Sequence, residues 1–170
     1  METPDFYTAE LEAYLRSIYR LDWEHGLHGW SHWVRVYENG MRLAKTNSAD
    51  ELVVGLFAFT HDIARKNDGG DRGHGARAAA LIREEMQGRF FQLTPLQLAQ
   101  LTQAVSEHTD GKTEADITVQ TCWDSDRLDL WRAGYYPSPH KLCTNEAKDP
   151  GIIQWAVQRS EAWRQSRSSI

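Results

Sequence analysis

The most apolar segment of the chain, residues 52–60, ends directly in the polar pair His61-Asp62. Such a segment is expected to lie inside a folded core, so its polar end also meets buried surroundings. An unpaired buried carboxylate costs much free energy, and the pair therefore needs a partner. A divalent cation is a suitable partner, because imidazole and carboxylate both ligate such ions. The segment thus predicts a core element that ends at a metal site.

Length and charge indicate one domain over residues 1–170. The chain has 170 residues and a formal net charge of −5, which suits a single core and argues against a nucleic-acid polymer as partner. No uncharged apolar run is long enough for a membrane span, and residues 1–5 lack the features of a signal peptide. The only cysteines, Cys122 and Cys143, are too few for a disulfide framework or a thiolate zinc site. These features predict a cytoplasmic protein.

Helical periodicity predicts an all-α, single-domain bundle of about six to seven helices. Thr94-Pro95 with Gln97 is a capping-box helix start, and Asp149-Pro150 begins a last helix that ends near residue 165. No segment reads as a convincing strand, and the polar tail 166–170 is expected to be loose. The predicted helices cover about residues 6–21, 31–46, 50–62, 74–86, 95–108, 117–133 and 149–165.

Four side chains on three predicted helices could meet around one cation. They are two imidazoles and two carboxylates, a set that suits Mn, Fe, Co, Ni, Zn or Mg, namely His32, His61, Asp62 and Asp126. Helical bundles build metal sites from inward-facing side chains on different helices. Three alternatives stay open. His61-Asp62 could be an ordinary hydrogen-bonded helix end, His32 could be a surface histidine flanked by aromatic residues, and Asp124 could take the place of Asp126.

The order of these residues resembles the H…HD…D signature of the HD-domain metal-dependent phosphohydrolase superfamily. The resemblance covers about residues 27–129 and rests on the segments 29–33, 59–65 and 123–129. It implies an HD-domain-like all-α fold and His32, His61, Asp62 and Asp126 as ligands of a first divalent ion.

Two further histidines are similar to those of the dinuclear branch of this superfamily. By that resemblance, His74 and His108 would hold a second ion together with Asp62, which would bridge both ions. The alternative is that His74 and His108 merely lie at helix ends, where the helix macrodipole favours a cation at the C-terminus.

Several charged residues follow the His-Asp pair and could bind a phosphorylated substrate. Phosphate needs positive charge on its oxygens, so we predict that Arg65, Lys66 and Arg72 bind it. Trp33 flanks a predicted ligand and is a candidate to contact the substrate by stacking, with a place in the core as the alternative. Asp68 and Asp71 are candidates for positioning water, although their glycine-rich loop is also ordinary turn chemistry. The predicted catalytic residues are Asp62, Arg65, Asp68 and Arg72.

The sequence therefore predicts a phosphohydrolase that activates water with one or two divalent ions. Metal-bound water reaches a pKa near ~7 in favourable cases, so no serine or cysteine nucleophile is needed, and no P-loop or G-x-S-x-G motif is present. The expected substrate is a small phosphorylated metabolite, with a nucleotide favoured. The alternatives are a di-iron oxygenase on the same scaffold and a non-catalytic nucleotide sensor.

Overall fold

The structure, a computed structural model, describes residues 4–167. Residues 1–3 and 168–170, on which part of the signal-peptide and loose-tail predictions falls, lie outside this range. Within it the chain forms seven α-helices and no β-sheet, and a single β-bridge joins Gln87 to Phe91. The prediction of an all-α fold is confirmed. The helices are α1 Ala9–Ile18, α2 Trp30–Asn47, α3 Glu51–Thr60, α4 His74–Leu81, α5 Pro95–Glu107, α6 Ile117–Arg127 and α7 Pro150–Arg167.

Side-chain caps explain where the central helices begin. The Asp50 carboxylate accepts hydrogen bonds from the backbone N–H groups of Leu52 and Val53 at the start of α3. Thr94 and Gln97 form both hydrogen bonds of the predicted capping box at the start of α5. Each such cap satisfies N–H groups that have no partner within the helix.

Three helix ends differ from the prediction. Helix α1 ends at Ile18 instead of near residue 21. The fourth helix continues beyond Leu81 as a π-helix, Ile82–Met86, instead of remaining α-helical. The sixth ends at Arg127 and is followed by a 3₁₀ helix, Leu130–Ala133. A second 3₁₀ helix covers Pro139–Lys141 and lies before α7.

Helix α3 is the centre of the fold. All its residues from Val53 to Thr60 are buried, and it packs against α2, α5 and α6. The close approach to α2 depends on Gly40, because a Cβ there would lie 2.4 Å from Cγ1 of Val54. The C-terminal end of α3 therefore delivers His61 and Asp62 into the interior. Within residues 4–167, none of the helices is long and apolar enough to cross a membrane.

Candidate metal centre

Six predicted ligands from five parts of the chain converge at the end of α3. His32 lies in α2, Asp126 in α6, and His74 is the first residue of α4, while His108 directly follows α5. Asp126 is the most exposed of the six, and its side chain is only 14% exposed. The structure thus brings together every residue that the sequence assigned to the metal site: His32, His61, Asp62, His74, His108 and Asp126.

One group of ligand atoms surrounds Oδ2 of Asp62. This oxygen lies 3.4 Å from Nε2 of His61 and 3.7 Å from Nε2 of His32. The two Nε2 atoms are 3.1 Å apart. Oδ1 of Asp126 completes the group, 3.4 Å from Nε2 of His32. These four side chains are the predicted ligands of the first ion.

A second group surrounds the other oxygen of the same carboxylate. Oδ1 of Asp62 lies 3.0 Å from Nε2 of His74 and 3.6 Å from Nε2 of His108. The Nε2 atoms of His74 and His108 are 2.9 Å apart. The two oxygens of Asp62 therefore face two different groups of imidazoles, the arrangement that a carboxylate bridging two ions requires.

In three of the histidines, the hydrogen bonds of Nδ1, which faces away from the centre, show that Nε2, which faces into it, carries a lone pair. Nδ1 of His108 donates a hydrogen bond to the carbonyl oxygen of Val105 at 2.7 Å, and Nδ1 of His74 donates to that of Asp71. Nδ1 of His61 lies 3.2 Å from the carbonyl oxygens of both Phe57 and Ala58. A carbonyl oxygen can only accept, so Nδ1 holds the proton and Nε2 of the neutral ring is free to ligate.

Facing lone pairs make the centre unfavourable without positive charge inside it. The Nε2 atoms of His74 and His108 lie within hydrogen-bond distance of each other, yet neither holds a proton in the neutral tautomer that their outer hydrogen bonds select. Two opposed acceptors beside a carboxylate repel one another. A divalent cation between them removes this repulsion, so the donor set fits a metal.

Asp126, rather than Asp124, supplies the last carboxylate. Oδ1 of Asp126 is buried and has no hydrogen-bond partner within residues 4–167. Asp124 instead accepts hydrogen bonds from the backbone N–H groups of Cys143 and Thr144, at 2.7 and 2.8 Å, and from the Thr144 hydroxyl. Asp124 therefore fixes the segment before α7, and the alternative that it replaces Asp126 is wrong.

The pKa shifts favour the protonation states that a metal needs. Burial alone opposes ionisation of Asp126, but neighbouring positive charge outweighs it and holds the pKa of this carboxyl well below the usual range. For Asp126 the largest favourable contribution comes from Arg132. Burial, assisted by Arg132, lowers the pKa of His32 to about 3. The centre therefore combines an anionic Asp126 with a neutral His32.

An outer layer around His32 was not predicted. Nδ1 of His32 lies 2.7 Å from Oδ2 of Asp129. Asp129 also accepts two hydrogen bonds from Arg35, at 2.6 and 3.0 Å, and one from the Ser160 hydroxyl of α7 at 2.6 Å. The sequence spacing could have indicated this layer. Asp129 follows the predicted ligand Asp126 by three residues, and Arg35 follows His32 by three residues.

A cavity of about 420 Å³ opens onto the centre. Asp62, His108 and Asp126 line its floor. Its walls contain a histidine, four basic residues and an exposed tyrosine, namely His28, Arg65, Arg127, Arg132, Lys141 and Tyr135. His28 is buried, and its Nδ1 lies 2.9 Å from Oδ1 of Asp68. Arg132 and Lys141 were not among the predicted site residues, because they follow the last ligand in a segment that the sequence left irregular.

The predicted substrate-binding residues Arg65, Arg72 and Lys66 line different cavities. Arg65 lines this cavity, and its Nε donates a hydrogen bond to Oδ1 of Asp62 at 2.7 Å. Exposed Arg72 lines a neighbouring cavity of about 450 Å³, together with Arg65 and His74. Lys66 lines neither; it lies on a groove of about 560 Å³ beside α1 and α4 that contains no predicted ligand. The structure therefore does not bring Lys66 to the metal centre.

Trp33 is a core residue. Its side chain is fully buried and packs edge-on against Tyr19 and Trp23, at centroid distances of 5.2 and 5.0 Å. A ring enclosed in this way offers no face to a ligand, so the prediction that Trp33 contacts the substrate is wrong. Asp71, a candidate for positioning water, is instead hydrogen-bonded to Arg77 and to the backbone N–H of Lys66, and it holds the loop together.

The comparisons with known proteins support the fold. No known protein-family profile matches the chain, and neither does any curated protein. Among solved structures, the chain is similar to the crystal structure of a predicted HD superfamily hydrolase from an uncultured Thermotogales bacterium. The two share 22% sequence identity with a TM-score of 0.66, over 94% of this chain and 90% of the other. The all-α fold is thereby shared over nearly the whole length of both chains.

Proposed function

We propose that this protein is a metal-dependent phosphohydrolase with a dinuclear centre, and that its substrate is a small phosphorylated metabolite, with a nucleotide favoured. The observation that carries the proposal is the Asp62 carboxylate, whose two oxygens face separate pairs of inward-pointing Nε2 atoms. The adjoining cavity, about 420 Å³ in volume, is within the ~300–1,000 Å³ range of small-molecule sites. Its basic walls suit an anionic ligand.

Bound divalent ions would supply an activated water and would polarise the phosphoryl group. The chain's own residues would then bind and orient the substrate. Arg65 fixes Asp62 and also lines the cavity, where its charge would stabilise a phosphate. His28, held by Asp68, lies on the wall; burial lowers its pKa, so the neutral ring is placed to accept a hydrogen bond from the substrate. This assigns Asp68 an indirect role through His28.

Activity measured against added metal tests the proposal. Protein stripped with a chelator and reloaded with Mn or Co should hydrolyse p-nitrophenyl phosphate or members of a nucleotide panel. Asp62→Asn should abolish turnover and remove most of the bound metal, whereas the exposed Asp110→Asn should retain both. Bound metal is measured by elemental analysis, and circular dichroism checks that each variant is folded.

Three results would contradict the proposal. Absence of turnover across the phosphate panel, with oxygen consumption by the iron-loaded protein, would favour the di-iron oxygenase. Tight nucleotide binding without turnover would favour the sensor. Unchanged metal content in Asp62→Asn would show that this carboxylate is not a ligand.

A further inference from the structure

Arg132 occupies an unusual position for a charged side chain. It is only 8% exposed, yet it lines the cavity beside the metal centre. The 3₁₀ helix Leu130–Ala133 places it there, since the backbone N–H of Arg132 bonds to the carbonyl oxygen of Asp129 at 3.0 Å and turns the chain directly after α6. A buried guanidinium carries a desolvation cost that its partners must offset.

Two of the three guanidinium nitrogens of Arg132 are hydrogen-bonded, and they fix the orientation of the group. Its Nε donates to the carbonyl oxygen of Leu27 at 3.0 Å, and its Nη1 donates to that of Asp129 at 3.1 Å. Its Nη2 forms an ion pair with Oδ1 of Asp126 at 3.6 Å, longer than a hydrogen bond, and makes no hydrogen bond to a described residue. The two carbonyls therefore orient the group, while the Nη2 donors remain available beside a predicted ligand oxygen.

The other two arginines on the cavity wall each differ from Arg132 in one respect. Arg127 uses Nη1 and Nη2 to bind the carbonyl oxygens of Lys141 and Lys112, at 2.8 and 2.7 Å. Arg65 uses Nε for Asp62 and Nη1 for the Gly69 carbonyl oxygen. Arg65 also has an Nη2 without a hydrogen bond to a described residue, but it lies on the Asp62 side of the centre. On the Asp126 side, Arg127 has both Nη groups engaged, so Arg132 is the cavity arginine there with donors to offer.

We infer that Arg132 binds a non-bridging oxygen of the substrate's phosphoryl group through Nη2, on the Asp126 side of the cavity. The inference rests on the proposed phosphohydrolase function and names a residue that anchors the substrate there. A planar guanidinium fixed by two carbonyls presents its remaining N–H groups in a set direction, which suits the geometry of phosphate oxygens. Arg65 and Arg132 would then hold the phosphoryl group from opposite sides.

Anion binding to the Mn-loaded protein tests Arg132 separately from turnover. Inorganic phosphate and fluoride are the two probes, each titrated by calorimetry. Arg132→Gln should weaken phosphate binding by about tenfold or more, the loss expected for a charge-assisted hydrogen bond. Its fluoride affinity and its metal content should stay unchanged, because a single-atom anion binds the ions without needing a second oxygen contact. The exposed Arg83→Gln removes the same charge elsewhere and should change neither affinity.

Arg132→Lys provides a second variant in case Arg132→Gln does not fold. It keeps the charge but lacks the planar fork, so it should also bind phosphate more weakly at an unchanged fluoride affinity. Phosphate affinity equal to that of the unmodified protein in either folded, metal-loaded variant would overturn the inference. Parallel loss of phosphate and fluoride affinity would also overturn it, since Arg132 would then act only by supporting the ions. If the unmodified protein neither binds phosphate nor hydrolyses phosphoesters, the proposed function itself fails.

Discussion

Asp129, two residues after the end of α6, is the side chain through which α2 and α7 fix the orientation of His32. It joins His32 and Arg35 of α2 to Ser160 of α7, and all of these groups are nearly or fully buried. A carboxylate behind a ligating imidazole sets the tautomer and increases ligand basicity. The same contacts form a buried ion pair, so one residue serves both metal binding and stability.

Asp129→Asn should therefore weaken the protein in two measurable ways. Leaving Arg35 without its buried partner should lower the free energy of unfolding by about 3–5 kcal/mol, measured by urea denaturation. Metal affinity should fall by about 10–100-fold, measured by competition with a chromophoric chelator. Asp110, whose side chain is 51% exposed, provides the control, since Asp110→Asn should change stability by no more than about 0.5 kcal/mol. Metal affinity unchanged in Asp129→Asn would contradict this role.

The same carboxylate should contribute to acid denaturation. Burial raises its pKa, but His32 and Arg35 outweigh this and lower it from 3.8 to about 2. A depressed folded-state pKa stabilises the protein above the unfolded-state value, and this stabilisation disappears as the pH falls through the folded-state value. In chelated protein, the stability difference between the unmodified chain and Asp129→Asn should shrink from about pH 4 to about pH 2. A constant difference over that range would contradict the assignment.

Side chains differed in how far the sequence could predict them. The convergence of the six candidate ligands was predictable because imidazole and carboxylate have few roles at the end of a buried helix, and because their order resembles a known signature. Trp33 was predicted wrongly, since residue type alone does not tell a packed indole from one that lines a cleft. Arg132 was not predicted, because its position depends on the turn made by the 3₁₀ helix after α6.

Helices α4 and α5 approach each other closely where the second ion is predicted. Gly75 follows His74, and a Cβ at Gly75 would lie 2.5 Å from the carbonyl oxygen of Val105 and 3.0 Å from that of Ser106. These are backbone atoms, which cannot rotate out of the way as the end of a flexible side chain can. The absence of a side chain at Gly75 thus allows His74 to reach His108 across the helix contact.

Gly75→Ala should selectively disturb the second ion. The clash must push α4 away from α5, which separates His74 from His108 and costs about 1–3 kcal/mol of stability, as overpacking does. Elemental analysis should show bound metal falling from two ions per chain towards one. Ala76→Ser alters the exposed neighbour on the same helix and should keep both ions. Two ions retained by Gly75→Ala would show that this close contact does not position the site.

Helix starts were more predictable than helix ends. Asp50 and Thr94 cap their helices through contacts with nearby residues, so local sequence defines those starts. The π-helix Ile82–Met86 depends instead on a chain reversal in which Gln87 exchanges hydrogen bonds with the backbone of Leu93. The helical spacing of apolar residues does not indicate such a reversal. The prediction therefore continued α4 as an ordinary α-helix.

The metal centre connects distant parts of the chain. Its ligands come from α2, the end of α3, the start of α4, the end of α5, and α6, while Ser160 adds α7 through Asp129. Apolar packing of α3 holds these elements together, but it leaves opposed lone pairs and carboxylates at one point of the interior. The stability of the whole fold should therefore depend on bound cations.

Chelation should lower the thermal midpoint of the whole domain. A ligand that binds only the folded state stabilises it by about 2.7 kcal/mol when its free concentration is ~100 times its Kd. For a domain of 170 residues, each kcal/mol corresponds to about 2–4 °C, so removing one ion should lower Tm by roughly 5–11 °C, and removing two by more. Scanning calorimetry with and without EDTA measures the shift. Asp62→Asn, which lacks the bridging carboxylate, should show almost no response to EDTA. An equal Tm for the unmodified protein in both conditions would mean that its interior tolerates the cluster without metal.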